Sequence, residues 1–287
     1  MHRVSTQGVD RPQLLVASKQ DLTMPRDLTT FLWLLKLGAL VNLYFLTHTL
    51  VPPGSQADPH LLVPAQIFFA VSGFRCLFPN QFKGNVVFHD TPLSSIFLTR
   101  LLATFAEVGF VYLLSQVLRT VNVGRLGWVD ALSWLLVAQV VLSQCFVWGA
   151  ILTGRLGLYF WEELGWAILV AANAVASAAL WSTRKTLGDA GIFLPINLVF
   201  AVVYLSWQIP NLRLQVADAR RAGETLRPAT HVSWKGLREG LRRSIHERNR
   251  TTEASAWGGF VGVTWMAGYF AILLPMWTNQ IVVVFSR

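Results

Sequence analysis

Along most of this chain the apolar residues neither alternate nor recur as a stripe; they run on. Seven stretches, 28–51, 61–77, 92–118, 128–152, 161–181, 192–209 and 257–277, are almost continuously apolar, and short polar segments separate them. Each is close to or above the roughly 20 residues that cross a bilayer core of about 30 Å. No water is present at that depth to satisfy backbone N–H and C=O groups, so each run must be a helix. The expected fold is therefore all-α: a polytopic membrane helix bundle of about seven spans. Pro64 and Pro195 fall in first turns, where proline is tolerated, and Pro210, Pro228 and Pro275 are expected at or beyond helix ends. One stretch behaves differently. In "WKGLREGLRRSIHERNR", Trp234, Leu237, Leu241 and Ile245 recur at steps of three and four, so they share one helix face with Arg and Lys around the rest. This predicts a basic amphipathic helix just before the last span, lying on an anionic leaflet or docked on the bundle.

Composition agrees. Of the 287 residues 53% are hydrophobic and only 14% charged, with mean hydropathy +0.46, against about 25% charged in a soluble domain. The 12 Trp suit the aromatic belts at lipid–water interfaces. Basic residues set the orientation. With the N-terminus inside, seventeen Lys and Arg fall on the inner side and five on the outer, which predicts N-in/C-out. The net charge of +9 comes largely from the loop between the sixth and seventh spans, so it points to anionic lipid headgroups and not to nucleic acid. The expected organisation is a cytoplasmic segment (1–27), six spans (28–210), a basic cytoplasmic loop (211–255), then the last span and C-terminus (256–287). A multi-pass cell-membrane protein with membrane lipids as partners follows; the pattern carries no signal for oligomeric state. The first twenty residues contain no compact signal-peptide core, so no cleaved signal is expected. Cys76 and Cys145 read as packing residues, and no Cys/His spacing calls for a metal or other cofactor.

Ionisable groups at membrane depth are costly and need a reason. The third span carries Arg100 and Glu107, seven residues apart and so on one face. At about 10 Å along the axis they look too distant for a direct pair, with Thr104 or a water between them or partners on other helices. Ahead of that span stands "HDTP": Asp90 or Thr91 is placed to cap it with Pro92 in its first turn, and His89 is the histidine nearest the acids on that side. The fifth span opens with "FWEE". Glu162 and Glu163 are expected in its first turn, where acids complement the helix dipole. Adjacent residues point about 100° apart, so one acid faces outward and the other inward. Glu162 shares its face with Trp166 and Asn173 and is the interior candidate; Glu163 is expected near Arg155 or lipid headgroups. Asn197, Tyr204 and Gln208 share a face of the sixth span, and Gln139, Ser143 and Gln144 lie on the fourth. In the seventh, Gly258 and Gly262 form a small-xxx-small pattern typical of helix packing.

"WEELGWAI" invites comparison with intramembrane CAAX-type proteases, whose glutamate pair is followed by an arginine and two membrane histidines. Neither follows here, which excludes that family. "FWEE" also resembles the aromatic–Trp–Glu helix of integral-membrane terpene cyclases, whose acids start cyclisation; their other acidic motif has no counterpart. "FRCLFPNQF", "SSIFLTRLLATFAEVGF" and "ILTGRLGLYFWEELGWAI" are similar to a group of multi-pass membrane proteins of bacteria and protists, a likeness that implies no particular activity. The residues point first to an enzyme using acid–base chemistry on a lipid or isoprenoid. Its catalytic candidates are Glu162, Glu163, His89 and Asp90, and Arg100, Glu107, Asn173, Asn197 and Tyr204 line a cavity. The alternatives are a small-solute or proton transporter and a membrane scaffold whose polar residues only join helices.

Overall fold

The computed structural model describes residues 26–50, 58–124, 126–183, 191–227 and 233–285. Pro228 and the N-terminal segment up to residue 25 lie outside them. Among the described residues 7 helices are long and apolar enough to cross a membrane: α1 (Thr29–Leu50), α2 (Pro59–Leu77), α3 (Ile96–Val121), α4 (Gly127–Thr153), α5 (Gly157–Thr183), α6 (Phe193–Arg221) and, last in the chain, α8 (Gly259–Phe285). The protein is an integral membrane helix bundle. Its outward faces are apolar, with Leu40, Val199 and Val202 all more than 60% exposed, as lipid contact requires.

Consecutive helices from α1 to α6 pack side by side, and α8 fits against α1 and α2. Trp277 on α8 meets Phe193 and Phe200 on α6, which closes the ring. Asp58 accepts from the His60 N–H at 2.9 Å to cap α2, so that helix starts early and Pro64 falls inside it. Neither Asp90 nor Thr91 caps the third span. Residues Pro92–Ser94 form a separate 3-10 turn, and Ser95 caps α3 by accepting from the Leu98 N–H at 3.2 Å. Pro210 does not end its helix: α6 continues through it to Arg221. The ring frees one carbonyl on the exposed side of the helix and leaves the buried Gln208–Asn211–Gln215 edge intact.

α8 is not one regular helix. An α segment (Gly259–Met266) passes into a π turn (Ala267–Ala271), and a second α segment (Leu273–Phe285) follows, with Pro275 in its first turn. The wide turn closes through the Ile272 N–H donating to the Ala267 carbonyl at 3.0 Å. It is supported from α1 and α2. Asn42 Nδ2 donates to the Phe270 carbonyl at 2.9 Å and to the Gly38 carbonyl at 2.8 Å, and Cys76 Sγ lies 3.4 Å from the Phe270 carbonyl. Gly38 permits this approach, since a Cβ there would stand 2.8 Å from the Ala271 Cβ. The Gly258/Gly262 pattern works locally instead of between helices. Gly258 holds φ 83° at the helix start, and a Cβ on Gly262 would strike the Trp257 carbonyl.

A polar cap closes one end of the bundle, the end that holds the start of α1, α3, α5 and α8. Strand β1 (Asn80–Gln81) pairs antiparallel with β2 (Val86–Val87), and β2 pairs in parallel with β3 (Asn249–Arg250). The chain beyond β3 is tied to the approach to α1: the Leu28 N–H donates to the Thr252 carbonyl at 2.8 Å and the Ala254 N–H to the Arg26 carbonyl at 2.9 Å. Trp257 is fully buried beneath this layer, its Nε1 donating to the Thr251 carbonyl at 2.9 Å. The amphipathic helix α7 (Trp234–His246) belongs to the cap. It rests on α3 and α4 through Gly240 and Ser244, its buried positions; a Cβ at Gly240 would run into the Leu152 carbonyl. Trp234 and Leu241 stay exposed and Leu237 and Ile245 half-buried, so α7 is docked on the bundle with its apolar ridge turned outward.

Candidate functional site

Below the cap, charged side chains from three helices meet in the interior. Arg100 on α3 is 1% exposed and Glu107, two turns further on, 3%. They pair directly, Arg100 Nη2 donating to Glu107 Oε2 at 2.7 Å. The seven-residue separation is bridged because both side chains are long and lean toward each other along the helix. Thr104 does not mediate; its hydroxyl donates to the Arg100 carbonyl and accepts from Trp148 Nε1. Gln144 of α4 completes the contact, accepting from Arg100 and donating to Glu107 Oε2 at 2.9 Å. Gly165 helps α4 and α5 come together, since a Cβ there would strike Ser143 Oγ.

Two further charges join this pair. Glu162 of α5 places Oε1 at 3.6 Å from Arg100 Nη1. Arg75 of α2 reaches to 4.0 Å from Glu107 Oε1 and is 3% exposed. Its guanidinium lies among aromatic rings, 4.6 Å from the Phe270 centroid and 4.8 Å from that of Trp265, a cation–π setting created by the π turn of α8. Arg75 Nη2, Arg100 Nε and the Tyr269 hydroxyl are buried donors with no hydrogen-bond partner among the described residues.

The three glutamates are held differently. Glu107 accepts from Arg100 and Gln144. Glu163 Oε2 accepts from Gln208 Nε2 of α6 at 2.8 Å, and Gln208, Asn211 and Gln215 continue as a hydrogen-bonded edge of α6. The carboxylate of Glu162 makes no hydrogen bond among the described residues, and its ion-pair partner there is Arg100. α5 begins at Gly157, a turn earlier than expected, so neither acid sits in the first turn and the dipole does not account for them. Gly157 N donates instead to Glu224 Oε2. Glu163 faces α6 and not Arg155, whose guanidinium donates to the Arg227 carbonyl.

The remaining candidates are placed elsewhere. His89 packs against Phe88, Trp33 and Phe78 near α1. Burial in this aromatic setting, with Lys36 and Arg250 nearby, lowers its pKa below 6.5. Asp90 is exposed and pairs with Arg248 Nε at 2.7 Å. Neither is brought to the glutamates, because the loop before α3 folds outward over α1 and β3. Asn173 and Asn197 are buried farther along the bundle, where Asn197 Nδ2 lies 3.4 Å from Ser177 Oγ. Tyr204 stacks on Phe200 and lies tilted against Trp207, within electrostatic reach of the glutamates. Gln144, one of the polar residues read on the fourth span, belongs to the cluster, as do Arg75 and Tyr269, which the sequence patterns do not single out. Among the described residues no three His, Cys, Asp or Glu side chains gather to hold a metal ion.

Two hollows lie near the cluster's capped end. One, of about 180 Å³, is bounded by Phe82, Lys83, Tyr159 and Arg243; its Phe82 ring also faces Arg100, with 5.5 Å from centroid to Cζ. The other, of about 600 Å³, is a groove on α5 and α6 with Phe160, Leu212 and Val216 as its apolar floor and Arg213, Arg220 and Arg221 along it. No known family model, curated protein or solved structure matches this chain.

Proposed function

We propose that the protein is an integral-membrane enzyme that transfers a proton to or from a lipid or isoprenoid substrate, with Glu162 as the exchanging group. One observation carries this reading: Glu162 is the buried carboxylate that Arg100 holds at 3.6 Å but no hydrogen bond engages, while Glu107 and Glu163 are occupied as acceptors. A group that must gain and lose a proton needs that freedom. Arg100 orients it and offsets the charge left when the proton departs. His89, half-buried among aromatic rings, and Asp90, exposed and paired with Arg248, take no part.

In this reading the capped end is cytoplasmic in a cell membrane. The Arg213, Arg220 and Arg221 side chains and the exposed Trp234 and Leu241 ridge meet anionic headgroups, for which exposed cations beside apolar surface are suited. The test compares lipid extracts, by mass spectrometry, of membranes from cells expressing the wild type, Glu162→Gln or Asp130→Asn. A wild-type-dependent change in the lipid profile should persist in Asp130→Asn and vanish in Glu162→Gln at unchanged protein level; equal extracts from wild type and Glu162→Gln would refute the assignment. The hydrogen-bonded edge Glu163–Gln208–Asn211–Gln215 favours a second reading, a proton-coupled transporter. That reading predicts pH-dependent flux in liposomes that Glu107→Gln abolishes. A scaffold predicts neither effect.

A further inference from the structure

The 180 Å³ cleft is smaller than the roughly 300 Å³ at which pockets for whole drug-sized ligands begin, so it suits a single small group. Its walls come from the β1–β2 loop, the end of α4, the start of α5 and α7. The polar side chains on them are Lys83, Asn85, Tyr159, Arg243 and Ser244, and no acid lines it. Asp218 and Glu247 are not among its lining residues but contact two that are. Asp218 pairs with Lys83 Nζ at 2.5 Å, and Glu247 accepts from Asn85 Nδ2 at 3.3 Å. Lys83 therefore keeps two protons for another acceptor.

Arg243 is the more telling residue. Its Nε is buried with no partner, and its guanidinium makes no hydrogen bond among the described residues. It does not join the exposed Glu239–Arg242 pair one turn back. It stands beside Gly154, which has φ 72° and ends α4; a Cβ there would lie 3.4 Å from Arg243 Nη2. The carbonyl end of α4 attracts a cation by its dipole, which explains why an arginine is there but leaves its donors unused. The hydroxyl of Tyr159, another residue lining the cleft, also makes no hydrogen bond among the described residues.

We propose that this cleft is a binding site for a phosphate group, held between the Arg243 fork, the Lys83 ammonium and the Tyr159 hydroxyl. A guanidinium presents paired donors that match phosphate oxygens, and the lysine adds a point charge across the site. The phosphate belongs either to a free anion or to the headgroup of a phosphomonoester lipid entering from the bilayer surface. The site stands independently of proton transfer at Glu162.

The full chain in phosphatidylcholine nanodiscs tests this. Inorganic phosphate is titrated calorimetrically, and retention of phosphatidic acid is read by native mass spectrometry. Arg243→Gln should weaken binding by about tenfold or more, the scale of one lost charged hydrogen bond. Tyr159→Phe, which only removes a hydroxyl, should weaken it about threefold or more. Arg238→Gln removes the same charge from an exposed position of α7 and should leave it unchanged. Saturable binding of phosphate alone assigns a soluble ligand, and retention of phosphatidic acid alone assigns a lipid; either supports the site. Equal losses in Arg243→Gln and Arg238→Gln, full binding in Tyr159→Phe, or no binding of either probe would overturn it.

Discussion

Replacing Arg100 by Met tests the energetics of the buried cluster most directly. Methionine retains most of the side-chain volume, so the repacking cost is small, under about 1.5 kcal/mol. The electrostatic cost is not. The substitution removes the Nη2 bond to Glu107 at 2.7 Å and the Nη1 contact to Glu162 at 3.6 Å. Glu107 would be left with Gln144 and with Arg75 at 4.0 Å, and Glu162 with no cation in contact. Removing one partner of a buried pair costs about 3–5 kcal/mol, because the other charge is stranded. We expect Arg100→Met to destabilise by that amount, a fall in melting temperature on the order of 10 °C. Adding Glu107→Gln in the same chain should recover about 2 kcal/mol or more, since it removes one of the two stranded charges and leaves the amide bonded to Gln144. Reversible unfolding of purified protein in detergent, run as a double-mutant cycle, gives both quantities. A loss under about 1 kcal/mol for the single variant, or additive losses in the double variant, would show that the pair is solvated and would remove the basis for treating Glu162 as a held group.

Gly240→Ala should detach α7 from α4, because the added methyl meets the Leu152 carbonyl; about 1–3 kcal/mol of local stability is lost, read as faster amide exchange over Trp234–His246 while the spans stay protected. Asn42→Leu should cost about 1–3 kcal/mol by leaving the Phe270 carbonyl of the π turn with only the weak Cys76 thiol donor, and thermal melts check it against Asn42→Asp. His89 has a folded pKa below 6.5, caused first by burial and then by Lys36 and Arg250. The unfolded chain thus binds the proton more readily, so its contribution to stability grows as pH rises toward 6.5 and is lost as pH falls through the folded value; NMR titration of the imidazole should place its midpoint below 6.5, and a midpoint at or above 6.5 would show that burial and the nearby cations do not control the ring.

The spans were legible because membrane insertion imposes a length and an apolar content on each helix, and both appear directly in the residues. The facing of Glu162, Trp166 and Asn173 was legible for a similar reason: one helix fixes their relative angles, and all three are buried. What escaped depends on other helices. The direct Arg100–Glu107 pair could not be judged from axial distance, since the reach of two long side chains is set by their rotamers. His89 and Asp90 are next to α3 in the chain, yet β3 and Arg248 pull their loop away from the glutamates. Arg75 was hidden most completely. An arginine at the end of an apolar run reads as a positive-inside residue, and it is the aromatic π turn nearly 200 residues later, at Trp265–Phe270, that makes it interior.

Arg75 also bears on why the cluster exists. Apolar side chains of similar volume can replace a buried ion pair with no loss of stability, so helix joining alone does not call for Arg75, Arg100, Glu107 and Glu162 at membrane depth. A network serving only to fix packing should satisfy its members, because partly satisfied buried polar groups are worse than an apolar core. Glu107 meets that expectation, with bonds from α3 and α4. Glu162, Arg75 Nη2, Arg100 Nε and the Tyr269 hydroxyl do not. Partnerless buried polar atoms also occur at Asn42, Asn80, Asn173, Gln215, Arg243 and Thr278, but those of Arg75 and Tyr269 lie at the π turn of α8, and π turns recur at functional sites. The hydrogen-bonded Arg100–Glu107–Gln144 contact ties α3 to α4, and Glu162, which that contact leaves without a hydrogen bond, is the group on which the proposed proton transfer rests.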